Sequence, residues 1–342
     1  MNTAVLEGTA NALVANGKGI LAADETPETL TKRFGALQID STSDSRRMYR
    51  EMFFTAPGAA DFISGVIMQD ETIRQKDSAG TPLAALLTQM GMIPGVKVDA
   101  GVKRLARRPG EGVTEGLHGL RERLREYGEM GARFAKWRAV IHIADGLPSW
   151  NCIRVNADAL ARYAALCQEQ NIVPIVEPQV LMDGTHTIQR CEEITGNVLR
   201  TTINALVGQR VILEGMLLKP NMIVPAIQCA RQSSLQEVAL VTLRCLRRHV
   251  PAAIPGIVFL SGGQHHLTAT LHLNAINRLH GPKPWKLSFS FGRALQDEAL
   301  RLWQGKDDRV RPAQRVFYQR ARCVSAAAQG NYASTMEAEM AA

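Results

Sequence analysis

The sequence predicts a single-domain α/β fold, a closed parallel (β/α)8 barrel of the TIM-barrel type, on three observations. Eight short, mostly apolar runs recur along the chain, helix-patterned segments separate them, and a polar or charged residue stands at the carboxyl end of each run. A chain of 342 residues exceeds the usual size of one core, but barrels run past about 250 residues as one unit. An open doubly wound sheet is the competing arrangement. The barrel is preferred because strand–helix alternation repeats eight times over about this length, and if it closes all eight run ends converge on one mouth.

The first run, GILAA at 19–23, ends at Asp24, and FISGVIM at 62–68 ends at Gln69 and Asp70. PGVKV at 94–98 carries Lys97 and is followed by Asp99. In RFAKWRAVI at 133–141 the strand is either RFAKWR or AVIHI. The first is taken, because Lys136 and Arg138 are two apart, face the same side of an extended chain and so reach the mouth together. IVPIV at 172–176 leads to Glu177, VILEGMLL at 211–218 to Lys219, GIVFL at 256–260 to Ser261, and KLSFSF at 286–291 to Gly292 and Arg293. Segments 156–171, 192–209 and 234–249 carry apolar residues at helical spacing. The barrel is expected to occupy 1–330, with 331–342 a short mobile tail.

Composition points to a globular protein, with 46% hydrophobic and 21% charged residues. Six cysteines without a CxxC pair read as reduced thiols of a cytoplasmic protein. The amino terminus has no basic region followed by an apolar core, and no run is long enough to span a bilayer, so no membrane partner is expected. The net charge of +8 would suit nucleic acid if basic residues were gathered with stacking aromatics. Aromatic content is only 5%, and the one dense basic run, KRLARRPG at 103–110, is short, so it reads as a solvated face. An anionic small-molecule substrate fits the charge better than nucleic acid.

The residues at the run ends suggest imine chemistry. A lysine with an ordinary pKa near 10.4 is almost wholly protonated at neutral pH, and becomes a nucleophile only beside another cation or out of water. Lys136 would lower the pKa of Lys219, and the carboxylates Asp24 and Glu177 would move protons. Pro220 steers Lys219 away from helical geometry and keeps it extended at the strand tip, although a proline also simply ends a strand. Ser261 with two glycines in SGGQ, and Gly292 with Arg293 in FGRALQ, offer N–H and guanidinium donors to a phosphate after the last two strands. Lys32, Arg33 and Lys97 are candidates for a second anionic group, against the plainer reading of surface charges.

The segments GKGILAADET, GVKVDAGV, FAKWRAVI, VPIVEP, LEGMLLKPNM, PGIVFLSGGQ and LSFSFGRALQ follow one another in an order and spacing that resembles class I, Schiff-base-forming fructose-1,6-bisphosphate aldolase, from about residue 5 to about residue 333. The resemblance implies reversible cleavage of fructose 1,6-bisphosphate to dihydroxyacetone phosphate and glyceraldehyde 3-phosphate, a role in glycolysis and gluconeogenesis, and a homotetramer. It implies no cofactor and no metal, only a covalent imine on Lys219. By motif, Lys219 matches the imine-forming lysine, Glu177 the general acid/base, and Asp24 the carboxylate that assists cleavage through the C4 hydroxyl. Lys136 and Arg138 match residues lining the active site. Ser261, Gly262 and Arg293 match the C1-phosphate site, and Lys97, Arg33, Thr26 and Thr29 match positions around the C6-phosphate.

Three departures stand out. Gln179 replaces a second carboxylate, so VEPQ stands where VEPE is common; Thr26 and Thr29 stand where serines are familiar; and the tail ends EAEMAA without a terminal tyrosine. A metal-dependent route to the same cleavage would need a histidine cluster, whereas His265 and His266 are adjacent and expected to point apart, with His272 their one near partner. A non-catalytic sugar-phosphate binder would have lost the lysine or its carboxylates; Asp24, Lys136, Glu177 and Lys219 are all present.

Overall fold

The computed structural model describes residues 1–338. It contains ten strands: β1 (Gly19–Ala23), β2 (Ile63–Met68), β3 (Ile93–Lys97), β4 (Val102–Arg104), β5 (Gly112–Thr114), β6 (Phe134–Ile141), β7 (Val173–Val180), β8 (Leu217–Leu218), β9 (Gly256–Phe259) and β10 (Lys286–Phe291). Eight of them close a parallel barrel in the order β1-β2-β3-β6-β7-β8-β9-β10, while β4 and β5 pair as an antiparallel hairpin outside it. Helices fill the crossovers, as parallel pairing requires.

Alternation along the strands separates two apolar layers. Ile20, Ala22, Ile67, Phe134, Val173, Ile175, Leu217 and Val258 fill the barrel, where they meet Leu6, Ala10 and Leu13 of helix α1 (Thr3–Leu13), which closes the bottom. Residues of opposite parity, such as Leu21, Ala135, Val176 and Leu218, face the outer helices. The inner layer is tight at Gly95, where a methyl group would come within 2.3 Å of the Phe134 ring.

Three of the expected runs differ from the observed strands in extent. In β6 the alternative segments are one continuous strand that includes both FAKWR and AVI, and β7 likewise continues past Glu177 to Val180. The two pair in register over eight residues, so their ladder rises above the rest of the barrel rim. The run VILEGMLL, by contrast, is a strand only at its last two residues. Residues Leu213–Gly215 form a 3-10 turn, and the Gln168 side chain bonds the Ile212 N–H and the carbonyls of Ile212 and Gly215, satisfying groups a ladder would have used. Gly215 of this turn is buried against α1: a methyl on it would lie 2.9 Å from Leu6 Cβ.

The expected boundary at residue 331 falls within a packed segment. Tyr332 donates its N–H to Asn274 and its hydroxyl to Glu337, which pairs with the buried Arg320 at 2.7 Å. Residues 339–342, the end of the expected tail, lie outside the described residues. Among the described residues no helix is long and apolar enough to cross a membrane.

Candidate active site

Inward-facing parity selects the site. Asp24 stands two residues after the inward Ala22, Lys136 two after Phe134, Glu177 two after Ile175 and Lys219 two after Leu217, so all four side chains continue the interior face into the mouth. Lys219 remains extended ahead of Pro220: its N–H bonds Val176 O at 2.8 Å, and Pro220 O accepts from Leu260 N at 3.2 Å, so the residue is held between β7 and β9.

The four groups form one charge cluster. Lys136 Nζ lies 2.6 Å from Asp24 Oδ2 and 3.4 Å from Glu177 Oε2, and Lys219 Nζ lies 3.4 Å from the same Glu177 oxygen. Lys136, Glu177 and Lys219 are buried, and Asp24 reaches solvent only slightly. Burial opposes the charge on each group, so neighbours decide the outcome. At Asp24 burial raises the pKa, but Lys136 and Lys219 outweigh it and hold the carboxyl well below its usual range. At Lys136 burial lowers the pKa, and Asp24 with Glu177 more than reverses it, fixing the ammonium. At Lys219 burial is the leading cause of a lowered pKa; Glu177 opposes it and Lys136 adds to it. Repulsion by Lys136 is thus real but second to desolvation, which reorders the causes expected from sequence. The arrangement holds one fixed ammonium, one fixed carboxylate and one amine pushed toward its neutral form.

Around this cluster, Arg138 follows Lys136 on the inward face and lies 3.4 Å from Gln179 Oε1, while Lys97 is paired with Asp99 at 2.8 Å. On the opposite wall Ser261 is buried, and a methyl on Gly263 would stand 3.3 Å from an Arg293 guanidinium nitrogen, so the SGGQ turn and Arg293 converge. Thr26 caps helix α2 (Pro27–Gly35), accepting from Thr29 N–H at 3.3 Å with the two hydroxyls 3.2 Å apart. Arg33, like Lys97, already has partners. Its guanidinium pairs with Glu25 and, at 2.9 Å, with Asp297, and it also reaches Tyr49 and Gln296, so it is a bonded strut and not a free cation.

That strut belongs to a network that the sequence reading missed. Arg50, 1% exposed, bonds Glu25 Oε2 at 2.7 Å and the Glu25 carbonyl at 3.1 Å, and Gln296 Nε2 holds Ala22 O at 2.7 Å. Both anchors flank Asp24 in sequence, which stiffens the backbone that carries it. One signal was available: Arg50 sits among Tyr49, Phe53 and Phe54 on a helix whose apolar face is otherwise closed.

Several expectations away from the cluster are corrected. The rings of His265 and His266 do not point apart but lie with centroids 4.1 Å apart at the start of the His266–Arg278 helix, and His272 is bonded to Gln264. Gln69 and Asp70 cap and brace the Asp70–Arg74 helix instead of joining the mouth. Among the described residues no three His, Cys, Asp or Glu side chains gather as a metal-ligand set. A surface concavity of about 920 Å³ lies beside the mouth, lined by the β4–β5 hairpin and His142. It contains none of the four clustered groups.

The model of the class-I fructose-bisphosphate aldolase family matches residues 5–342. The chain belongs to this family. A probable class 1 fructose-bisphosphate aldolase of Xylella fastidiosa (strain 9a5c) is 53% identical over 333 residues, covering 97% of this chain and 99% of its own. The protein named cytosolic fructose-bisphosphate aldolase 6 of Arabidopsis thaliana is 49% identical over 94% of this chain and 92% of its own. Among solved structures, Plasmodium falciparum fructose-bisphosphate aldolase, determined in complex with TRAP and a small-molecule inhibitor, superposes with a TM-score of 0.95 at 46% identity over 97% of this chain and 96% of that one. The protein is therefore a class-I aldolase, a lyase of the fructose 1,6-bisphosphate cleavage reaction, on a (β/α)8 barrel.

Proposed function

We propose that Lys219, Glu177, Asp24 and Lys136 carry out the aldolase chemistry. The single observation behind this reading is the shared Glu177 oxygen, 3.4 Å from each lysine, with Lys219 alone of the two driven toward the neutral amine. Neutral Lys219 Nζ attacks the C2 carbonyl of the open-chain ketose to give a carbinolamine. Glu177 delivers a proton to the departing hydroxyl, water leaves and an iminium forms. Asp24 takes the proton of the C4 hydroxyl; the C3–C4 bond breaks, its electron pair enters the iminium as an enamine, and the aldehyde departs. Protonation of the enamine at C3 and hydrolysis return the ketose phosphate and the free amine. Lys136 stays charged, keeps Asp24 ionised and opposes protonation of Lys219.

Ser261, the Gly262 N–H and Arg293 are assigned to the C1-phosphate, and Lys97, Thr26 and Thr29 to the C6-phosphate. Arg33 supports the α2 end of that second site through Glu25 and Asp297. Gln179, beside Arg138, can hydrogen-bond but cannot relay a proton, so Glu177 works as the sole buried carboxyl of that strand. No cofactor is assigned. We also propose a cytoplasmic homotetramer; the exposed Trp150, Val207, Ile227 and Leu240 are candidates for its contacts.

Incubation with dihydroxyacetone phosphate and borohydride, followed by digestion, tests the central assignment. A reduced adduct on Lys219 with activity indifferent to chelator is expected. Adduct formation elsewhere, or loss of activity with chelator, would overturn it.

A further inference from the structure

The turn after β9 is held by a relay that starts on a different helix. The Ser261 carbonyl receives two donors from one residue: Gln264 backbone N–H at 3.0 Å and Gln264 Nε2 at 3.1 Å. A carbonyl only accepts, so this contact fixes which end of the Gln264 amide faces it. Its Oε1 therefore points the other way, where it lies 2.6 Å from His272 Nδ1. Two acceptors cannot share that contact, so the His272 proton is on Nδ1. His272 is 6% exposed on the His266–Arg278 helix, and burial lowers its pKa to about 4, which keeps the ring neutral near pH 7.

The consequence falls on the neighbouring peptide. In a trans peptide the carbonyl and the following N–H point in opposite directions. Fixing the Ser261 carbonyl into the turn directs the Gly262 N–H out of it. Positive φ at Gly262 (62°) and Gly263 (95°) lets the chain turn there, and Gly263 lies against the Arg293 guanidinium. A donor whose direction is fixed before the ligand arrives loses little freedom on binding.

We propose that His272 is a positioning residue for the phosphate end of the substrate: through Gln264 it orients the Ser261–Gly262 peptide whose N–H receives a phosphoryl oxygen. The proposal rests on the assignment of Ser261, Gly262 and Arg293 to the C1-phosphate. His272 touches no reacting atom, so its removal should weaken phosphate recognition and leave imine formation intact.

The test compares His272→Leu, His272→Asn and Gln264→Met with the unaltered protein, after circular dichroism and thermal melting show that each is folded. Borohydride trapping is measured with dihydroxyacetone phosphate and with unphosphorylated dihydroxyacetone, and inorganic phosphate is titrated as competitor. His272→Leu strands a buried Gln264 oxygen, and should raise the half-saturating concentration of dihydroxyacetone phosphate and the inhibition constant of phosphate by about tenfold. Trapping of dihydroxyacetone should not change. Gln264→Met should reproduce the phosphate-selective loss, and His272→Asn, whose amide can donate in place of Nδ1, should restore most of the binding. Equal losses on both ketones, or no loss on either in His272→Leu and Gln264→Met, would overturn the proposal. An Arg293→Met control separates the two levels: if it too leaves phosphate selectivity untouched, the phosphate assignment itself fails, whereas selectivity lost in Arg293→Met but kept in His272→Leu defeats only the role of His272.

Discussion

Replacing Lys136 with methionine removes one charge from a cluster whose electrostatics can be sized. Both ammonium nitrogens lie 3.4 Å from Glu177 Oε2, so they are no more than about 7 Å apart. At that separation and an effective dielectric constant of about 20, their repulsion is at least about 2.4 kcal/mol. Deleting it raises the pKa of Lys219, and the released Asp24 and Glu177 carboxylates can swing toward the remaining ammonium and raise it further. The neutral fraction of Lys219 at pH 7 should therefore fall. The assay is the initial rate of borohydride-trapped adduct with dihydroxyacetone phosphate, followed from pH 6 to pH 10 with the site of reduction confirmed by mass spectrometry. The inflection in Lys136→Met should move to higher pH, with much of the trapping rate recovered in alkali. An inflection that stays in place or moves down would refute the reasoning, because a merely misfolded or mispositioned site would lose amplitude without that displacement.

Glu177→Gln keeps size and polarity but removes the transferable proton, and should lower kcat for cleavage by about 10²- to 10⁴-fold, measured in a coupled assay, while Lys219 becomes easier to deprotonate. Glu25→Gln takes the ion-pair partner from buried Arg50 and should cost about 3–5 kcal/mol in urea unfolding, whereas Arg50→Met leaves Glu25 still paired with Arg33 and should cost less. His272 has a folded pKa of about 4 against an ordinary 6.5, so its unfolded form binds more protons in that interval. The linked stability is complete above pH 6.5 and declines by about 3 kcal/mol as pH falls through 4, and denaturant titrations of His272→Asn should lack that part of the slope. Asp24, whose pKa is depressed by Lys136 and Lys219 against the effect of burial, contributes stability that is full above its ordinary 3.8 and is lost in stronger acid.

The barrel was legible because its signal is local and repeated. Each of the eight apolar runs places a strand, the helical spacing between them supplies the crossovers, and the fixed period of two carries an inward apolar residue to an inward ionisable one at Asp24, Lys136, Glu177 and Lys219. The run at 211–218 was misread as a full strand because apolar sequence reports burial and not the partner that provides it. There α1 and Gln168 take the place of sheet neighbours.

What the sequence determined, then, is which groups reach the mouth; their protonation and pairing were decided by distances between elements far apart in the chain. Which lysine is held charged depends on which one sits 2.6 Å from Asp24, and that is Lys136. The pairing of Arg33 with Glu25 and Asp297 is not legible in the chain, and His272 is joined to the SGGQ turn through a glutamine amide whose orientation only the packed structure fixes. Strand periodicity acts over two residues and is written in the chain, whereas Coulomb and hydrogen-bond energies depend on separations that exist only after the barrel has closed.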